Sequence, residues 1–176
     1  ASERTEIYIV STADTLYLGV VCFDREPTGI LSTSSRRDSP LGDTDSFQII
    51  LDTYRDQLTG FVFGTNPAGI EFDGQVTREG QGSFGSQGGF NLDWDGAWEV
   101  KTQISEIGWT AEFAIPFKML RFSGGEDVSW GVNFHRRVPR RLETSVWSGP
   151  GESEWRVSDF GVVDGLAVRL RDVRLL

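Results

Sequence analysis

The sequence predicts an all-β protein: an antiparallel β-sandwich of the jelly-roll or immunoglobulin-like kind, with little helix. Three observations predict it. Apolar residues alternate with polar ones along most of the chain, which is the period of strands that turn one face to a core. Gly, Pro, Asn and Asp cluster between the alternating runs, where turns are needed. Almost no stretch carries a helical pattern, and nine or ten short strands account for the rest. With 176 residues, 38% of them hydrophobic and 21 of them glycine, one turn-rich domain spanning 1–176 can bury a substantial core.

Taken in order, "TEIYIVS" and "TLYLGVVCFD" are two strands joined by a turn at Ala13-Asp14. The second is apolar on both faces and is expected to be central and covered on both sides. Its Cys22 is expected to be a small buried hydrophobe. As the only cysteine, it excludes an internal disulfide or a multi-cysteine metal site. "DSFQIILD" puts Phe47, Ile49 and Leu51 on one face and Gln48 on the other; "YRDQLTG" turns the chain and "FVFGTN" returns as a hairpin. "GIEFDGQV" follows the Asn66-Pro67 turn. Residues 77–91, containing "TREGQGSFGSQGGF", are expected to be an exposed Gly-rich loop. "AWEVKTQI" directs Trp98, Val100 and Ile104 inward, and "GWTAEFAIP" does the same with Trp109, Ala111, Phe113 and Ile115 before Pro116 ends the strand. "FKMLRF" allows one helical turn, "SWGVNFHRRV" and "ETSVWS" form another pair, and "FGVVDGLAVRL" is the last strand.

The chemistry-bearing residues exclude more than they assign. A net charge of −9 repels nucleic acid and anionic lipid, so no nucleic-acid partner is expected. No apolar run approaches the ~20 residues of a membrane-spanning helix. His135 is the single histidine, and neither a nucleophile-elbow motif nor a phosphate loop is present, so no enzyme is expected. A carboxylate pair about 5–9 Å apart is the one catalytic arrangement the composition leaves open. Arg136, Arg137, Arg140 and Arg141 alternate faces and are expected, like Arg36 and Arg37, to pair with carboxylates.

Tryptophans divide into two groups. Trp98, Trp109 and Trp130 share the phase of inward residues and belong to the core. Trp94 lies in a turn between Asp93 and Asp95, and Trp147 and Trp155 flank "SGPGESE". Loop tryptophans of this kind offer flat apolar faces to sugar rings or other planar ligands, or else close the open ends of the sandwich. "NLDWDG" begins like a calcium loop but has Thr102 where the bidentate glutamate belongs. An EF-hand is excluded. Asp93 and Asp95 remain candidates for a simpler calcium site, with ordinary Asx-turns as the alternative.

The ordered set "TLYLGVVCFD", "DTDSFQIILDTYRD", "TGFVFGTNPAGIEFD", "DWDGAWE", "GWTAEFAIPFKMLRF" and "WGVNFHRRVPR" resembles a family 9 carbohydrate-binding-module-like domain, over about Thr5 to Gly161. The version it is most similar to stands at the N-terminus of bacterial outer-membrane β-barrel proteins. The resemblance implies a β-sandwich, a periplasmic or outer-membrane-associated location in the cell envelope, and a non-catalytic role. An oligosaccharide or glycan is the implied ligand, and calcium the one cofactor found in some members. The family's usual opening segment, Asp-Gly-x-Leu-Asp with a tryptophan, has no counterpart here, which implies that this N-terminal segment is missing. Under this reading Trp94 and Trp147 would face a sugar, and Arg37, Asn133, Arg136 and Glu143 would bond its hydroxyls. The alternative is a structural module that docks onto an envelope membrane-protein complex. Haem-binding relatives use methionine and histidine; here Met119 and His135 are expected to be core filler and a surface residue.

Overall fold

The computed structural model describes residues 1–81, 89–122, 128–150 and 155–166, among which eleven strands make two antiparallel sheets. They are β1 (Thr5–Ser11), β2 (Thr15–Phe23), β3 (Ser46–Asp52), β4 (Gly60–Thr65), β5 (Phe72–Val76) and β6 (Phe90–Asn91), then β7 (Glu99–Ser105), β8 (Gly108–Pro116), β9 (Val128–Val138), β10 (Glu143–Val146) and β11 (Gly161–Leu166). The smaller sheet has the order β1-β2-β8-β7, and the larger β10-β9-β3-β4-β5-β6. β10 and β11 share the outer edge of β9, β10 along residues 135–138 and β11 along 128–132. Short 3-10 turns, such as Phe117–Met119 in "FKMLRF", are the helical content.

Alternation builds the core between the sheets. Leu16, Leu18 and Val20 of β2 and Trp109, Phe113 and Ile115 of β8 meet Phe47, Ile49, Phe63 and Trp130 from the larger sheet. Trp98 lies parallel to Phe113 at 5.7 Å between ring centroids and edge-on to Phe63 at 5.3 Å. Trp98, Trp109 and Trp130 are buried, as their phase requires. Cys22 is buried too, and burial pushes its thiol up to about 12, so it is no nucleophile.

The larger sheet is covered on its other face as well, and this decides where a site can form. Leu41, Ile50, Val62, Ile70, Phe72 and Phe90 make a second apolar cluster there. Every residue of β3 is consequently buried. The strands covered on both sides are therefore β3 and β4, not β2: Tyr17 on the outward face of β2 is 44% exposed, beside the exposed Tyr8 and Val10 of β1. Two further expectations are corrected. Ile104 has the inward phase but is 49% exposed, because it sits near the end of the edge strand β7. Residues 77–91 are not one exposed loop: Thr77 donates to the Gly89 carbonyl, β6 pairs with β5, and Phe90 is buried because it stacks on Phe72 at 6.0 Å. The stretch 82–88 of that segment lies outside the described residues.

Candidate functional site

On the covered face of the larger sheet, register fixes a row of side chains. Gln48 of β3 stands directly opposite His135 of β9, Gly64 of β4 follows Gln48, and Phe72 of β5 follows Gly64. One step along, Ser46 pairs with Arg137, and Arg137 with Thr144 of β10. Gly64 is required by packing: a Cβ there would come within 2.7 Å of Leu41 Cδ1 and 3.0 Å of Gln48 Cγ. Its absence lets Leu41 lie down on the sheet and form one side of a pocket. Pro40, Phe72, Leu92 and Trp155 supply the remaining apolar wall, and Gln48, His135, Arg137 and Thr144 the polar lining. The volume is about 390 Å³, in the range of small-ligand sites. Trp155 is held by Phe90 at 4.7 Å between ring centroids, and its ring lies 6.0 Å from that of His135.

Two buried side chains of this pocket, His135 and Gln48, carry polar atoms with no partner among the described residues. His135 is 2% exposed and Gln48 8% exposed. Among the described residues neither ring nitrogen of His135 has a hydrogen-bond partner, nor does Gln48 Oε1. Buried polar atoms in folded proteins are overwhelmingly paired, and leaving one unpaired costs about 1–3 kcal/mol. Burial also lowers the His135 pKa to about 4, so the imidazole is neutral at physiological pH and offers one donor and one acceptor. Flat apolar walls above unpaired donors and acceptors suit a small polyhydroxylated ring.

No family model and no curated protein matches the sequence. Among solved structures, a provisionally assigned carbohydrate-binding protein from Bacteroides uniformis ATCC 8492 superposes with a TM-score of 0.69 at 13% identity, over 92% of this chain and 78% of that one. A family 9 carbohydrate-binding module from Caldicellulosiruptor kristjanssonii, in complex with cellotriose, gives 0.62 at 15% identity over 100% of this chain and 80% of that one. Its complex with glucose gives 0.59 at 16% identity, over 99% and 81%. The fold is that of a family 9 carbohydrate-binding module. At these identities it is the fold that is shared.

Within the family 9 fold the residues expected to bind a sugar do not converge. Trp147, 56% exposed, stands edge-on to Phe134 at 5.6 Å and lines a second cleft, of about 390 Å³, at the mouth between the sheets. Arg136 borders that cleft but is buried, and its guanidinium donates to the carbonyls of Arg4 (2.8 Å) and Phe23 (2.7 Å) and to Thr5 Oγ1 (3.1 Å). It clips the small sheet to the large one rather than pairing with a carboxylate. Glu143 accepts from the Ser2 N–H at 2.7 Å and from Ser145 Oγ at 3.1 Å. Asn133 is used by the backbone: its Nδ2 donates to the Ser148 carbonyl and its Oδ1 accepts from the Ser148 N–H, both at 3.0 Å. Arg37 is bound by Asp73 (2.6 Å), Asp95 (2.5 Å) and Glu71. Trp94 is half-buried against Phe61 and Phe63, at 5.0 and 5.8 Å between centroids. Only Arg136 and Trp147 border a common cleft, and each of the six side chains has protein partners.

Two further expectations change. Asp95 points at Arg37, and the Asp93 N–H donates to Asn91 Oδ1 at 3.0 Å, which is the Asx-turn alternative. The described residues contain no group of three or more His, Cys, Asp or Glu side chains placed to hold a metal ion. His135 is not a surface residue: the loops that cover the larger sheet bury it. Met119 packs against the inter-sheet core while His135 lies on the other face, so the two cannot act as a haem ligand pair. Gln48 and Trp155 were visible in the sequence. Gln48 is the one polar residue inside the apolar run "FQIIL", and Trp155 closes "SGPGESEW".

Proposed function

We propose that this chain is a non-catalytic carbohydrate-binding domain of a bacterial cell-envelope protein, and that the pocket over Gln48 and His135 is its sugar site. One observation carries the reading: polar atoms of His135 and Gln48, buried and without partners among the described residues, line a pocket whose wall includes a tryptophan. Aromatic faces bind the C–H surface of a pyranose, and the unpaired groups accept and donate to its hydroxyls. Proteins of this fold solved with cellotriose and glucose support the ligand class. The envelope context rests on the ordered motif set quoted above. The described residues hold no helix long and apolar enough to cross a membrane.

Isothermal titration against a panel of cellotriose, xylotriose and N-acetylchitotriose tests this directly. At least one should bind the wild-type chain, and Trp155→Ala should weaken that binding about 10-fold or more, the loss of roughly 1–3 kcal/mol of ring stacking. No sugar should be cleaved on prolonged incubation. Silence across the panel, or a Trp155→Ala variant that binds as tightly as wild type, would overturn the site. Recovery of the native protein from cytosol rather than from the envelope fraction would overturn the location.

A further inference from the structure

We propose that His135 determines the specificity of this pocket: together with Gln48 it binds two adjacent hydroxyls, so the ligand is a sugar ring presenting a vicinal diol. The inference rests on the pocket being the sugar site. Its basis is the pairing of β3 with β9, which sets Gln48 and His135 side by side on one face. Directly opposed residues of an antiparallel pair have Cβ atoms about 4.5–5.5 Å apart, so two groups on one small ring can engage both at once. The chemistry is matched as well as the spacing. A neutral imidazole has one donor and one acceptor in a fixed plane, an amide has both, and each sugar hydroxyl can do either.

A packing role does not explain this histidine. The position is buried, apolar side chains lie close by, and a phenylalanine would fill it with no unsatisfied nitrogen. Among the described residues the imidazole makes no hydrogen bond in the protein; its one close ring neighbour is Trp155. The other charged groups lining the pocket, Arg137 and Asp38, lie in the same cavity and set its outer chemistry, while the two unpaired neutral groups are the ones that a ring hydroxyl pair completes.

Because His135 is the only histidine, its ring nitrogen signals in a ¹⁵N NMR spectrum need no assignment. The titration uses the whole chain and whichever of cellotriose, xylotriose or N-acetylchitotriose binds it. Saturation should move both ring nitrogens and fix one tautomer. His135→Phe should bind at least 10-fold more weakly without losing thermal stability, and His135→Gln, which keeps a donor and an acceptor, should recover part of the affinity. If a sugar binds while the ring signals stay still, or if His135→Phe binds as tightly, the specificity role falls and the sugar site stands. If no sugar of the panel binds, both fall. Should His135→Phe fail to fold, the wild-type ring signals decide alone.

Discussion

Replacing Arg136 by methionine separates a structural arginine from a ligand-binding one. Its guanidinium is buried and makes three hydrogen bonds, to the carbonyls of Arg4 and Phe23 and to Thr5 Oγ1. Those acceptors belong to the start of β1 and the end of β2, whereas Arg136 itself is on β9, so the three bonds tie the two sheets together at one end. Hydrogen bonds to a charged group contribute about 1.5–3 kcal/mol each, offset by the cost of keeping the guanidinium out of water. Methionine removes that cost together with the three bonds; the Arg4 carbonyl keeps the Phe23 N–H at 3.0 Å, so the expected net loss is about 1–3 kcal/mol. A domain of ordinary stability has about 5–15 kcal/mol in total. The urea midpoint should therefore drop with little change in slope. Arg136→Lys should recover little, because one ammonium cannot span the Arg4 and Phe23 carbonyls in the same way. An unchanged midpoint together with lost sugar affinity would refute this reasoning and return Arg136 to the binding residues.

Four other perturbations follow from the same geometry. His135 is held neutral with a pKa near 4 while the unfolded chain protonates near 6.5, so its contribution is complete above pH 6.5, declines as pH falls towards 4 and then levels off. The loss amounts to roughly 3 kcal/mol, and thermal melts should show wild type losing ground to His135→Phe across that window; parallel profiles would contradict it. Trp109→Ala should cost about 3–5 kcal/mol in urea unfolding, since the ring is 1% exposed within the inter-sheet core. Trp94→Ala should cost only about 2 kcal/mol, remain folded by circular dichroism and keep full sugar affinity, because the half-buried ring packs on Phe61 and Phe63 away from the pocket. Trp147→Ala should leave sugar affinity unchanged as well, since Trp147 lines the cleft between the sheets.

Period-two alternation made the fold legible almost strand by strand. It placed Trp98, Trp109 and Trp130 correctly because the inter-sheet core is the one burial that alternation encodes. It could not show the second cluster, in which loops fold over the outer face of the larger sheet. A residue such as Gln48 or His135 then looks outward in phase and is nevertheless buried by chain distant in sequence. Strand phase is equally silent about the partners of the expected site residues. Arg37, Asn133 and Arg136 carry groups suited to sugar hydroxyls, but long-range contacts commit them to Asp73 and Asp95, to the Ser148 backbone and to the Arg4 and Phe23 carbonyls. Trp155 was distinguishable from Trp147 only once the partners of both rings were known: Phe90 and His135 for one, Phe134 for the other.

The chain has six tryptophans, and their indole N–H signals report each ring separately in a ¹H–¹⁵N spectrum. Titrating the bound sugar into the ¹⁵N-labelled chain should shift the Trp155 signal progressively and leave those of Trp94 and Trp147 where they are. A Trp155 signal that stays fixed while the Trp147 signal moves would put the sugar in the cleft between the sheets and contradict the outer-face site.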